Sequence, residues 1–159
     1  MGTTWILTAN SSRARLFEVD PTGDAPREVA DFANPAGRAH ERDLRSDAAG
    51  RYYGRGERQQ GHAATTKEGF GDHETERFAE SLREYLEHAR GENRFGQLWI
   101  VAGPSFLGEL RRNFGKPLLE RVELTVNKDL TMEAPRELFA HVLAEREAQR
   151  RERSGAERA

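Results

Sequence analysis

The chain has 159 residues, a formal charge of −2, 36% apolar and 33% charged residues, and no cysteine. That length fits one domain of roughly 100–200 residues with a real core. The charge balance excludes a globally basic nucleic-acid binder but not a local basic patch, and the lack of cysteine excludes disulfides, a thiol nucleophile and zinc–thiolate sites.

The first residues, MGTTWILTANSS, have neither the basic start nor the apolar stretch of a signal peptide. Ile6 stands where a myristoylation signal needs Ser or Thr. The longest apolar run, Leu98 to Ala102, falls far short of the ~20 residues of a membrane helix. A soluble, cytoplasmic protein without membrane insertion is expected.

Thr3 to Asn10 reads as a strand with Trp5, Leu7 and Ala9 on one face and Ile6 and Thr8 on the other. Ser11-Ser12 offers a tight turn into a second strand, Arg13 to Asp20. There Ala14 and Leu16 oppose Arg15, Phe17 and Val19. Asp20-Pro21-Thr22-Gly23-Asp24 is strong turn chemistry, followed by a weaker strand from Arg27 to Ala33. Three strands on short turns predict an antiparallel meander.

Asn34 to Asp72 has no helical or strand-like apolar period, and glycines and arginines recur through it. Loops beyond ~15 residues are uncommon in compact domains unless they work or are disordered, so 34–72 is read as a functional loop. His73 to Arg90 then has helical spacing at Phe78, Leu82, Leu86 and Ala89, with Asp72 as a possible N-cap and Gly91 at the C-cap position. Gln97 to Ala102 is apolar on both faces, as in a central strand covered on both sides.

Gly103-Pro104-Ser105 turns into a helix with Phe106, Leu107, Leu110 and Phe114 inward, which Gly115-Lys116-Pro117 ends. Val122, Leu124 and Val126 alternate as a fifth strand. A last helix from Thr131 to about Arg150 would bury Leu138, Phe139, Val142 and Leu143, and its end is expected to fray from Glu145. The predicted fold is α/β in the order β-β-β-(long loop)-α-β-α-β-α. That is the element order of a ribonuclease-H-like mixed sheet. Residues 3–145 form one domain, and 146–159 a charged flexible tail.

Nucleases of that architecture hold metal pairs on clustered carboxylates, one of them on the first strand. Here that strand offers only Asn10, the central strand has no acid, and Asp43, Asp47 and Asp72 fall in the loop. His40, His62, His73, His88 and His141 form no metal-binding spacing. Nucleophile-elbow, Walker and dinucleotide motifs are missing. The reading assigns no catalytic residue, metal or cofactor.

Two candidate sites remain. Ser105 at a helix start, with Arg111 and Arg112 nearby, would make a weak anion site, although a plain turn explains the same residues. The stronger candidate is the loop. Arg38, Arg51, Arg55 and Arg58 would hold phosphates, Tyr52 and Tyr53 would stack on bases, and Gln59 and Gln60 lie beside them. Glu41, Asp43, Asp47, Glu57 and Glu68 offset these arginines, so a loop that orders on a protein partner is the competing reading.

Five segments together carry a family resemblance: TWILTANSSRARLFEVD (4–20), FANPAGRAHERDLRSDAAGR (32–51), HETERFAESLREYL (73–86), LWIVAGPSFLGELRRNF (98–114) and VNKDLT (126–131). In them the chain resembles the bacterial host attachment proteins, described as required for attachment to host cells. That family looks related to the middle domain of archaeal and eukaryotic peptide-chain release factors, whose Gly-Gly-Gln loop before a long helix promotes peptidyl-tRNA hydrolysis. The location of the loop matches, but Gln59-Gln60 follows Glu57-Arg58 instead of two glycines. The resemblance therefore implies a non-catalytic domain that contacts ribosome or structured RNA. The alternative is a protein-interaction factor acting indirectly on attachment. The oligomeric state is left open.

Overall fold

The computed structural model describes residues 2–37 and 57–158, with side chains from residue 73 onward in the second segment. Five strands make one mixed sheet: β1 (Thr4–Ala9), β2 (Arg13–Glu18), β3 (Arg27–Ala33), β4 (Gln97–Ala102) and β5 (Val122–Val126). Their spatial order is β3-β2-β1-β4-β5. The meander is antiparallel, and β4 and β5 run parallel to β1. Helices α1 (Glu57–Gly91), α2 (Pro104–Asn113), α3 (Lys116–Leu119) and α4 (Pro135–Arg158) complete it.

The alternation of the strand side chains creates two cores. Trp5, Leu7, Ala9, Ala14, Leu16, Leu98, Ile100 and Ala102 face one way, against Phe78, Leu82, Leu86 and Ala89 of α1 and Phe106, Leu107 and Leu110 of α2. Ile6, Phe17, Trp99, Val101, Leu124 and Val126 face the other, against Leu138 and Val142 of α4. The double-sided reading of β4 therefore holds. A fully buried aliphatic side chain contributes about 1.5–3 kcal/mol, so the central pair β1 and β4, flanked on both faces, carries most of the cohesion.

Several boundaries differ from the sequence reading. Helix α1 starts at Glu57, not His73, so Asp72 lies inside it and is no cap. The apolar stripe that marks the helix in the sequence begins only at Phe78, and Gln59, Gln60, Ala63, Ala64, Lys67 and Glu68 write no apolar period before it. The proposed 34–72 loop is thus partly helical. Its residues 38–56, including Arg38, Arg51, Tyr52, Tyr53 and Arg55, lie outside the described residues. Beyond Gly91 the left-handed residue is Asn93, at φ 59°, a conformation Asn tolerates well.

Helix α3 was missed because it is one turn long, anchored by buried Leu118 after Gly115. In β5 the register skips Glu123, which sends Val122 to the α1–α2 side while Leu124 and Val126 face α4. Helix α4 begins at Pro135 and stays helical to Arg158 instead of fraying at Glu145. Gln149 Nε2 donates to the Thr125 carbonyl at 3.0 Å, and Arg146 lies 5.3 Å from the Trp99 ring centroid. These polar anchors replace the apolar ones that the sequence lacks. Leu143, expected inside, is 38% exposed, because the helix turns only Leu138 and Val142 squarely onto the sheet.

Candidate functional site

The carboxyl ends of β1, β4 and β5 share one edge of the sheet. From β1 the chain continues into β2 on one side, and from β4 it continues through α2 and α3 into β5 on the other. Open α/β sheets bind ligands at such a reversal of direction. Asn10 and Gly103 flank it, and the segment after β5, Asn127 to Thr131, lies beside Asn10.

Asn10 uses all of its amide there. Its Oδ1 accepts from the backbone N–H groups of Ser12 and Arg13, each at 2.8 Å, and so builds the β1–β2 turn. Its Nδ2 donates to Asp129 Oδ2 and to Thr131 Oγ1, each at 3.0 Å. Asp129 Oδ1 in turn accepts from the Thr131 backbone N–H and hydroxyl. An aspartate at position 10 would keep the turn but present a carboxylate to Asp129. The residue is a fastener between β1 and the segment that follows β5.

Arg15 on β2 reinforces the same junction from the α4 face. Its guanidinium donates to both Glu28 carboxylate oxygens, at 2.9 and 3.1 Å, and to the carbonyls of Thr131 (3.1 Å) and Glu133 (2.8 Å). Nearby, Arg13 makes a two-pronged contact with Asp31 at 2.9 and 3.2 Å. Hydrogen bonding to Arg13 holds the Asp31 carboxyl below its ordinary pKa, and the same bond raises that of Arg13.

The segment entering residues 38–56 is rooted at this edge. Asn34 N–H donates to the Ser12 carbonyl and Asn34 Nδ2 to the Ser11 carbonyl, both at 2.8 Å. Pro35–Gly37 form a helical turn, and a Cβ on Gly37 would sit 2.0 Å from the Ser11 carbonyl oxygen. Only glycine fits there. The Ser12 and Thr8 hydroxyls are buried with no hydrogen-bond partner among the described residues.

The residues of the expected anion site lie towards the two ends of α2. Ser105 is exposed in the first turn of α2, and Arg111 and Arg112 are exposed in its last. Six residues of helix separate Ser105 from Arg111 by about 9 Å along the axis. Arg111 Nη2 reaches Thr125 Oγ1 at 3.4 Å and Arg112 pairs with Glu109, so both are turned to local partners. Arg58, Gln59 and Gln60 fall on the first turn of α1. Among the described residues no three His, Asp or Glu side chains are placed to share a metal ion. The contacts of Asn10 with Asp129 and Thr131 and of Arg15 with the Thr131 and Glu133 carbonyls escaped the sequence reading, because the partners lie 116 to 121 residues apart. The one signal was an Asn where related architectures place an acid.

No curated protein matches the chain. A family model does, over residues 5–142, a span that takes in all five strands, α1 to α3 and the first turns of α4. The chain belongs to the family described as "Protein required for attachment to host cells".

Proposed function

We propose that the protein is a non-catalytic, cytoplasmic binding domain of ribonuclease-H-like architecture, related to the release-factor middle domain. In this reading residues 38–62 contact ribosome or structured RNA. The observation that carries it is the carboxyl edge: Asn10, at the end of β1, is spent entirely on holding the turn and the Asp129–Thr131 segment. The strand order β3-β2-β1-β4-β5, with only β2 reversed, supports the architecture. The tight seat of Gly37 supports a fixed departure point for the arginine- and tyrosine-bearing segment. No helix among the described residues is long and apolar enough to cross a membrane.

Arg51, Arg55 and Arg58 would neutralise phosphates, with Tyr52 and Tyr53 stacked on bases. Replacing the three arginines with alanine should weaken RNA binding and flatten its salt dependence by roughly 0.7–0.9 log units per lost phosphate contact. Unchanged affinity in that variant removes the RNA reading.

The family description favours a second reading, in which the same segment binds a protein and the influence on attachment is indirect. Protein captured by the wild type and lost from a variant without residues 38–62, with no RNA affinity in either, would select it.

A further inference from the structure

Strand β5 is an edge of the sheet, and the second half of α4 runs beside it, tied down where Gln149 Nε2 donates to the Thr125 carbonyl at 3.0 Å. Gln149 divides the helix face that looks onto this edge. On one flank a hollow of about 200 Å³ is lined by Arg146, Arg150 and Arg153, together with Glu123 and Leu124 of β5. On the other flank a larger groove of about 560 Å³ carries Glu145 and Glu152, together with Thr125 and Asn127.

Positions 146, 150 and 153 follow the i, i+4, i+7 spacing of one helix face, so the three arginines form a row with steps of about 6 and 4.5 Å along the axis. Arg146 is set in place: its guanidinium lies 5.3 Å from the Trp99 ring centroid and 3.8 Å from the Glu123 carboxylate. At that distance the second contact is an ion pair too long for a hydrogen bond, so its N–H groups keep room for an acceptor. Arg150 and Arg153 are exposed and form no ion pair among the described residues. Charges around them are matched. Arg151, on the far side of the helix, lies 3.6 Å from Glu147, and Glu145 takes Lys128 at 3.0 Å. Three cations thus line the hollow with one acid, Glu123, and that acid already belongs to Arg146. Glu157, one turn past Arg153, ends the row.

We propose that Arg146, Arg150 and Arg153 are a phosphate-binding row for the backbone of a single nucleic-acid strand laid along the free edge of β5. Guanidinium forks bind phosphate oxygens. A row about 10 Å long suits successive phosphates better than one compact anion. Leu124 is the one apolar residue lining the hollow, so there is no seat for an acyl chain or for the anchoring side chain of a protein. Glu145 and Glu152 on the other flank repel a broad anionic surface such as a membrane. What fits is narrow, flexible and multiply charged. The row meets phosphates and not bases, so RNA and DNA strands are bound alike. None of its residues belongs to 38–62, so this contact stands or falls independently of the one proposed above.

Fluorescence anisotropy of the full chain with labelled oligouridylate and oligothymidylate at low salt tests it. R150A/R153A should weaken binding of both strands roughly tenfold, since two exposed charge pairs are lost. It should also lower the slope of log K against log salt by about 1.4, at ~0.7 for each phosphate contact. R150K/R153K, which keeps the charge, should retain most of the affinity. R151A, a loss of the same charge from the far side of the helix, should leave binding nearly unchanged.

The R51A/R55A/R58A background separates the two surfaces. There the R150A/R153A pair should have the same effect, whether or not residues 38–62 bind RNA. Equal affinities for wild type and R150A/R153A, an equal loss in R151A, or a singly phosphorylated peptide bound as tightly as the strands would each overturn the proposal.

Discussion

Replacing Asn10 with aspartate changes one amide to a carboxylate and leaves the shape of the side chain intact. The Oδ1 acceptor that builds the β1–β2 turn survives. The donor facing Asp129 Oδ2 at 3.0 Å becomes a second anionic oxygen. Two unit charges ~3 Å apart repel by about 1.4 kcal/mol in water and about 5.5 kcal/mol at an effective dielectric of 20. Asp129 is exposed and position 10 half-buried, which places the repulsion near 1.5–3 kcal/mol on the same scale. Losing the hydrogen bonds that Nδ2 donates adds about 1 kcal/mol.

The summed loss of about 2.5–4 kcal/mol at neutral pH corresponds to a fall in Tm of roughly 5–15 °C for a domain of this size. The crowded carboxylate pair binds a proton more readily in the folded than in the unfolded state. The repulsive part of the loss is therefore fully present above the raised folded pKa and disappears as pH falls below the unfolded value of about 3.9. Thermal unfolding followed by circular dichroism, as the difference between N10D and wild type at neutral and acid pH, reads both numbers. N10A, which removes the amide without adding charge, should show a loss that does not vary with pH. An N10D protein as stable as wild type at neutral pH, or a difference that does not shrink in acid, would refute the fastening role.

Three further outcomes follow from the same edge. R15M strips the Thr131 and Glu133 carbonyls and Glu28 of their common donor and should cost about 2–4 kcal/mol in chemical denaturation, toward the lower end for a buried pair because Glu28 is a third exposed. G37A must displace the Ser11 carbonyl or its own backbone and should cost roughly 1–3 kcal/mol for lack of space, read as a lower denaturation midpoint. Asp31, its pKa depressed by Arg13, stabilises the fold above the unfolded carboxyl pKa and loses that contribution as pH falls through the lower folded value. An NMR titration of its carboxyl should show the depressed midpoint return toward the ordinary value in R13M.

Local periodicity carried most of the fold into view. Trp5, Leu7 and Ala9 against Ile6 is a period of two that a sheet buried on both faces demands, and the Leu98–Ala102 run identified the centre of the sheet. The same signal failed where packing does not write a period. The first sixteen residues of α1 have no apolar stripe to mark them, and the end of α4 is held by Arg146 and Gln149, polar residues that read as solvated. The alternation of Val122, Leu124 and Val126 was real, but the bulge at Glu123 rotated Val122 to the opposite core. At the site, Asn10 was visible as an unusual residue at the end of β1. Its role depended on Asp129 and Thr131, which only the closed sheet brings near. Spacing put Ser105, Arg111 and Arg112 in one helix, and the helix sets Ser105 in its first turn and the two arginines in its last.

In the proposed reading, the segment leaving Gly37 contacts ribosome or structured RNA. Sucrose-gradient sedimentation of cell lysate tests it most directly, with the full chain beside a deletion of residues 38–62. Salt-sensitive comigration with ribosomal subunits, abolished by the deletion, is expected. Both forms remaining at the top of the gradient at low salt would contradict it.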